Sequence, residues 1–489
     1  MARGCVYLVG AGPGDPGLLS VRGAELLGRA DGVVVEGRPH PALLELVAPG
    51  AERLEAASAA EALAAAAEGA RRGRAMVWLR EGDPWLEGGA AVAGLAGAGV
   101  GFEIVPAVPP ELGAAAYAGV ELGRAGGLVV WAEGAGPAPP PGAPSAPTFV
   151  AAGRAAARSL AAALLAAGHP AGGPAALVTG ATSPAQRTLV CTLGELGDAA
   201  AGPAGEGAGL VAFVGPGVRG REALRWYDRR PLFGKRVAVT RAAHQARAFV
   251  RALRERGAEA VSVPTIAIYP PPDPGPLARA VAGLGAYDWV ALTSPNGVER
   301  LFEEIERQGR DARAFGSARV AAIGPGTAAA LAGRGVRADL VAKEFVGEGL
   351  ARALLDAAPA GRRLRVLVAR ALVAREAMPD ALRAAGHEVE VVAAYETKPP
   401  PAESVASLAR ALEGRAIDVV TLTSSSTAEH LLALLGPDAP ALLEGVCLAS
   451  IGPVTTATAE RLGLRVGLTA RTYSLEGLIE ALEAHFGPA

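Results

Sequence analysis

The feature that most constrains this chain is a long-period internal repeat in its second half. RVAVTRAAHQARAFVRALRERGAEAVSV, from Arg236, matches RVLVARALVAREAMPDALRAAGHEVEVV, from Arg365, 129 residues on. DWVALTSPNGVERLF, from Asp288, matches DVVTLTSSSTAEHLL, from Asp418, 130 residues on. Ile323-Gly324-Pro325 is echoed by Ile451-Gly452-Pro453 at 128. Three anchors with nearly one offset mark a duplication, and a period of this size is that of a domain and not of a solenoid turn. The second half should therefore be two similar α/β units facing each other, with a cleft between them as the natural ligand site.

Elsewhere short β-rich runs alternate with helical runs, as in VYLVG, SVRGAELLGRA and DGVVVEG near the start. That alternation predicts parallel sheets with crossover helices. The 489 residues have room for two to four domains. The connector RWYDRRPLFGKRVAVT, 225–240, is the best boundary. GPAPPPGAPSAP, 136–147, reads equally as a linker or a surface loop.

Composition excludes several classes. The 47 Lys and Arg are interspersed with 49 Asp and Glu, without the basic stripe a nucleic-acid partner needs. Cys5, Cys191 and Cys447 are too few and too far apart for a disulfide framework or a zinc cluster, so a reduced cytoplasm is expected. No basic leader and apolar segment precede the first strand, and every apolar stretch is broken before it reaches about 18 residues, so no membrane span is expected.

In each repeat a strand ends in a polar turn that opens a helix: Thr293-Ser294-Pro295-Asn296-Gly297 in one, Thr423-Ser424-Ser425-Ser426-Thr427 in the other. The turns at Gly324–Thr327 and Gly452–Thr455 repeat the arrangement. Any one of them is accounted for by helix capping. Four together, in two facing units, would line a cleft with hydroxyls and backbone N–H donors suited to a ligand carrying many carboxylates. No paired carboxylates, Cys/His dyad or metal cluster accompanies them. His244, His387, His430 and His485 read as surface or core residues. Tyr395, in VVAAYETKPP, breaks the repeat, because its counterpart is Ile266. Both segments end in prolines, as strands crossing between units would, so this tyrosine either looks into the cleft or is a half-buried strand residue with a satisfied hydroxyl.

These motifs carry a resemblance. Over about 255 residues the second half resembles uroporphyrinogen-III synthase: VAVTR, LTSPNGV, the IGPGTA turn, Phe345 with Glu348-Gly349-Leu350, AYETKP, LTSSSTAEHL and SIGPVTTATAERLGL. The resemblance implies a domain over 226–489 with two α/β lobes, 232–267 plus 400–486 and 270–395, joined by a two-strand connector. It implies closure of hydroxymethylbilane to uroporphyrinogen III, inverting ring D through a spiro intermediate, with no cofactor. Few catalytic side chains are then required, since folding the chain into shape does most of the work. By this resemblance Tyr395 assists departure of the hydroxyl, and Thr327, Ser424, Ser425, Thr455 and Thr456 bind carboxylates. Ser294, Asn296, Gly324 and Gly452 line the same turns. Arg241 and Arg370, at equivalent strand ends, are candidates for charge pairing or plain surface residues. Ala371 stands where the family usually has glycine.

Residues 1–225 resemble the tetrapyrrole methylases, above all uroporphyrinogen-III C-methyltransferase, with subdomains at about 1–108 and 109–225. The matching pieces are YLVGAGPGDPGLLSVRGAELLGRAD at 7–31, REGDPWLEGG at 80–89, AAAYAGVEL at 114–122 and GATSPAQRTLVCTLGEL at 180–196. The resemblance assigns S-adenosylmethionine to Gly10, Gly12, Pro13, Gly14, Asp15, Gly82, Asp83, Pro84, Ala181 and Thr182. Asp15 stands where a dinucleotide fingerprint needs its third glycine, so that fingerprint is excluded. Other positions depart from the family. Its tyrosine-aspartate is Val35-Glu36, and its Gly-Gly-Asp-Pro is Glu81-Gly82-Asp83-Pro84. The proline-glycine turn is Pro106-Ala107-Val108-Pro109-Pro110, Thr-His-Arg is reduced to Gly123-Arg124, and methionine-glycine is Ala152-Gly153. A glycine lost at a close approach is costly, and Glu81 would add a buried carboxylate.

Three functions fit this pattern: a synthase with a methylase-like domain of lost or altered activity, a bifunctional synthase and methyltransferase making precorrin-2, and a non-catalytic tetrapyrrole carrier. A small-molecule tetrapyrrole is the expected partner, with no nucleic acid and no membrane. The methylase-like domain leaves room for a homodimer. The end product served (heme, siroheme or cobalamin) is left open.

Overall fold

The computed structural model describes residues 4–86, 89–122, 128–132, 138, 148–206, 209–241, 243–359, 361–400 and 402–487. Gly123-Arg124, the glutamate and glycine at 87–88 and nearly all of the proline-rich stretch 136–147 lie outside them. The chain forms two compact units, one of residues 1–237, 250–261 and 479–489, the other of 238–249 and 262–478.

The N-terminal region carries two five-stranded sheets. The first runs Glu52–Ala56, Gly32–Glu36, Ala75–Arg80, Cys5–Gly10, Gly101–Val105, all parallel. Its three central strands read as nearly unbroken apolar runs, as strands covered on both faces must, and Val6, Leu8, Val34, Met76 and Trp78 are wholly buried. The second runs Leu128–Trp131, Thr148–Ala152, Val211–Val214, Pro174–Thr179, Arg187–Thr192 and is mostly antiparallel.

The C-terminal sheets show what the duplication built. One runs Glu259–Ser262, Arg236–Val239, Val419–Leu422, Cys447–Ser450, Val466–Thr469. The other runs Glu388–Lys398, Arg365–Ala371, Trp289–Leu292, Arg319–Ala322, Leu340–Val341, with Ala267–Tyr269 added at its first edge. Strand for strand these are the partners the sequence repeat pairs, in one spatial order. The chain, however, fills the first sheet from both ends of the region and the second from its middle. The seam where early strands meet late ones is closed by buried threonines. Thr240 Oγ1 donates to Thr421 O (2.5 Å), Thr421 Oγ1 to Ala238 O (3.2 Å) and Thr265 Oγ1 to Thr240 O (3.2 Å). The connector has two strands, Ala267–Tyr269 running antiparallel to Glu396–Lys398. Prolines at 264, 270–272 and 399–400 flank it, because a chain leaving a sheet has no ladder partner for its N–H groups.

Candidate functional site

In both C-terminal sheets strand order reverses at one place, between Arg236–Val239 and Val419–Leu422 in one, between Arg365–Ala371 and Trp289–Leu292 in the other. Ligands of open α/β sheets bind beyond the carboxyl ends of strands at such reversals. Arg241, Ser294, Asn296, Ser424 and Ser425 lie just beyond strands that flank a reversal, and Gly324, Thr327, Gly452, Thr455 and Thr456 lie just beyond the next strand out in each sheet.

Ser294 caps the helix Pro295–Arg307, its Oγ accepting from Gly297 N (3.0 Å). The same Oγ lies 2.9 Å from the Tyr395 hydroxyl. Tyr395 gets there through a backbone irregularity. The strand Glu388–Lys398 pairs in parallel with Arg365–Ala371, but the register slips between Arg370 and Ala371, so Ala371 faces Tyr395. One residue later the strand begins its antiparallel pairing with Tyr269. Tyr395 therefore sits where its strand changes partners. The ring packs in the core with Leu292, Val392 and Ala394 and is only 7% exposed. It is thus a buried strand residue with a satisfied hydroxyl, placed beside a helix start. Asn296 is half-buried in the first turn of the same helix.

In the other sheet Ser424 closes a capping box with Thr427: Ser424 Oγ accepts from Thr427 N (3.2 Å), and Thr427 Oγ1 from Ser424 N (3.1 Å). Ser425 accepts from Thr458 Oγ1 (2.9 Å), and Thr456 Oγ1 lies 2.7 Å from Thr469 Oγ1. Helices begin at Pro325 and Pro453, after Gly324 and Gly452. Thr327 and Thr455 stand at the third residue of each, buried to 2% and 5% exposure. Arg370 is buried and bound to Arg375 O (2.6 Å) and to the Glu376 carboxylate, so it fixes the loop after its strand. Arg241 ends the equivalent strand, and burial holds its guanidinium pKa below the usual value.

In the N-terminal region the glycine-rich loop is tightly built. Gly12 and Gly82 form an antiparallel bridge, Gly12 N donating to Gly82 O (3.2 Å) and Gly82 N to Gly12 O (3.1 Å). A Cβ on Gly10 would stand 2.6 Å from Ala107 Cβ and 2.7 Å from Pro84 Cδ. The side chains assigned to a cofactor are engaged inside the protein. Asp15 accepts from Gly17 N (2.7 Å) and from the Tyr117 hydroxyl (2.7 Å), and its own N–H donates to Thr182 Oγ1 (3.2 Å). Burial, helped by the Asp15 carboxylate, pushes the Tyr117 pKa up, so the phenol stays protonated and donating. Thr182, at φ 62°, accepts at its carbonyl from Tyr227 OH (3.4 Å). Asp83 is capped by Trp85 N (2.9 Å), Leu86 N (3.1 Å) and Ala107 N (2.8 Å). Gly14, at φ 136°, and Pro13 pass beside Thr182 and Gly113, and Ala181 precedes Thr182 in the same turn.

A cavity of about 320 Å³ opens beside this loop, lined by Glu36, Arg80, Glu81, Asp83 and Glu111 among others. Glu81 is exposed, which corrects the sequence expectation of a buried carboxylate: the residue turns outward, its Oε2 3.4 Å from Arg38 N. Four carboxylates against one guanidinium make this mouth acidic. Asp83 is the one member of this lining whose carboxylate is closed off by three backbone N–H groups, and the acidic mouth is poorly suited to a polyanionic methyl acceptor.

Among the described residues no group of acidic, histidine or cysteine side chains could hold a metal, and no helix is long and apolar enough to cross a membrane. All three cysteines are free.

Two open α/β sheets with hydroxyls and helix starts at their strand ends thus follow, along the chain, a first pair of α/β sheets. Residues 247–480 match the uroporphyrinogen-III synthase HemD family, and residues 5–197 match the tetrapyrrole (corrin/porphyrin) methylases. A porphyrin biosynthesis protein HemD of Ruminiclostridium josui is 30% identical, over 99% of this chain and 98% of its own. A uroporphyrinogen-III synthase of Synechococcus elongatus is 36% identical over 52% of this chain and 96% of its own. A solved uroporphyrin-III C-methyltransferase of Thermus thermophilus, complexed with S-adenosyl homocysteine, is 30% identical. It covers 44% of this chain and 98% of its own, with a TM-score of 0.37. The chain belongs to the HemD uroporphyrinogen-III synthases, lyases of porphyrin biosynthesis, and carries a tetrapyrrole methylase domain fused in front.

Proposed function

We propose that residues 226–489 close hydroxymethylbilane into uroporphyrinogen III and that residues 1–225 no longer methylate the product. The observation that carries the first part is the pairing of the Tyr395 and Ser294 hydroxyls at a reversal point of the sheet, 2.9 Å apart. Tyr395 OH gives its proton to the departing hydroxyl, which leaves as water while the pyrrole nitrogen lone pair forms the azafulvene. Ser294 holds the phenol in place through the step. Ring D then attacks through its substituted α-carbon to form the spiro intermediate. The bond from that carbon to its original bridging carbon breaks, the freed bridging carbon rebonds at the unsubstituted α-carbon of ring D, and the proton lost there returns the Tyr395 phenolate to the phenol. Thr327, Thr455, Ser424, Ser425 and Thr456, with the N–H groups of the helix starts around Gly324, Asn296 and Gly452, receive carboxylates, and Arg241 supplies a cation. No cofactor enters this reaction, and the cytoplasm is its expected compartment.

For the first domain the satisfied polar atoms of Asp15, Asp83 and Thr182 and the acidic cavity support a scaffold, with a homodimer through this domain as its expected assembly. Supplying the full chain with hydroxymethylbilane, with and without S-adenosylmethionine, tests both parts. The expected product is unmethylated uroporphyrinogen III in either case. Methylated product, with micromolar binding of the methyl donor, overturns the second part, and absence of the type III isomer overturns the first.

A further inference from the structure

Phe345 and Tyr473 are large aromatic residues left in solvent, 62% and 70% exposed, in a protein whose aromatics are only 4% of residues. They lie 128 residues apart, the interval that separates Gly324 from Gly452. Each ring is seated on its glycine. A Cβ on Gly324 would stand 3.1 Å from Phe345 Cδ1, and one on Gly452 would stand 3.0 Å from Tyr473 Cδ1. Both glycines have extended backbone, φ −175° and 176°, which any residue adopts. The ring above is therefore what their missing side chains make room for.

A second pair of glycines fixes the rings. Gly349 and Gly477, again 128 apart, pass so close to Glu344 O and Thr472 O that a Cβ would stand 2.3 and 2.2 Å away. The tight turns into the helices starting at Gly347 and Leu475 thus hold Phe345 and Tyr473 over the helix starts at Pro325 and Pro453. One side of each ring rests on peptide backbone, and the rest is open to solvent. An exposed ring held this way has little freedom left to lose on stacking. Each stands beside a first turn that carries Thr327 or Thr455.

We infer that Phe345 and Tyr473 are positioning residues whose ring faces stack on pyrrole rings of the linear tetrapyrrole, one in each lobe. This rests on the reading of residues 226–489 as the bilane-closing half. A bilane presents flat π-faces with carboxylates around their edges. The helix starts receive the edges, and the two rings receive the faces. Stacking on an aromatic platform tolerates variation in substituents, so these contacts set the fold of the bilane and leave its substituents to the carboxylate sites.

The test is steady-state kinetics of the full chain with hydroxymethylbilane for Phe345→Leu, Tyr473→Leu and their combination, with Phe345→Trp and Tyr473→Phe as ring-keeping controls and thermal melts of each. We expect KM to rise about tenfold in each leucine variant, within the range for lost stacking. We also expect kcat to stay within about threefold, a lower type III fraction in the double variant and unchanged melting. Both controls should behave as wild type. Wild-type KM and isomer fraction in the double variant overturn this inference alone, as does a control that fails as badly as leucine at normal melting. If the wild-type protein makes no type III product, the functional reading falls and takes this inference with it.

Discussion

Removing the Tyr395 hydroxyl and removing its partner should rank oppositely in rate and in stability. Tyr395→Phe deletes one hydrogen bond between neutral hydroxyls, worth about 1 kcal/mol, in a unit of a size where that lowers Tm by about 2–4 °C. Ser294→Ala deletes the same bond and also the helix cap to Gly297 N, adding about 1 kcal/mol, so it should melt lower. For turnover the order reverses. A phenol that donates its proton to the leaving hydroxyl contributes about 10²–10⁴ in rate, or roughly 3–5 kcal/mol, and Tyr395→Phe loses all of it. Ser294→Ala keeps the phenol and loses only its fixed orientation, so kcat should fall about tenfold or less. The assay is the initial rate of type III formation from hydroxymethylbilane, beside melts of the same preparations. Ser294→Ala slower than Tyr395→Phe, or Tyr395→Phe within about threefold of wild type, would refute the proton-donor role.

Other outcomes follow from the same geometry. Thr240→Val leaves Thr421 O buried without its donor and should cost about 1–3 kcal/mol, read as a lower denaturant midpoint with no change in KM. Gly10→Ala forces a methyl group against Ala107, Pro84 and Gly82 O and should cost about 1–3 kcal/mol by overpacking. Calorimetry of the full chain with S-adenosylmethionine should show no micromolar binding. His40 caps a helix through Nδ1, which accepts from Ala42 N (3.1 Å), and burial, reinforced by Arg254, lowers its pKa. Its folded-state pKa lies below the unfolded value near 6.5, so its contribution is complete above about pH 6.5 and is lost as pH falls toward the folded pKa. Stability should decline over that window, and His40→Asn, which keeps a cap acceptor, should flatten the decline.

The duplication was legible because polar turns at one offset survive where helical faces diverge. The alternation of apolar and helical runs likewise placed the strands well. The exchange of strands between the two sheets was accessible only through family resemblance, since a repeat reports equivalence and not pairing. Ser294 and Tyr395 each stand out in the sequence, but not as partners: 101 residues separate them, and the register slip at Arg370 and Ala371 that joins them has no sequence signature. In the sequence Phe345 is legible only as part of a motif. Its counterpart Tyr473, with Glu476-Gly477-Leu478, repeats the pattern at 128, but nothing local marks either ring as exposed. Glu81 reads as an intruding carboxylate until its outward orientation is known. The bonds of Asp15 to Tyr117 and Thr182 span 102 and 167 residues, too far apart for local pattern to predict.

The seam of Thr240, Thr421 and Thr265 also sets a timetable for synthesis. Strands Arg236–Val239 and Glu259–Ser262 leave the ribosome long before their neighbour Val419–Leu422, with the whole second sheet translated in between. At about 5–20 residues per second that delay is roughly 8–31 s. During it the inserted lobe has all its own strands and can finish folding, while the two waiting strands present an unpaired edge, the kind of surface that recruits foreign strands. Of the two C-terminal sheets, the one begun first is completed last, so a nascent protein stalled before residue 419 would hold one finished lobe and one open one.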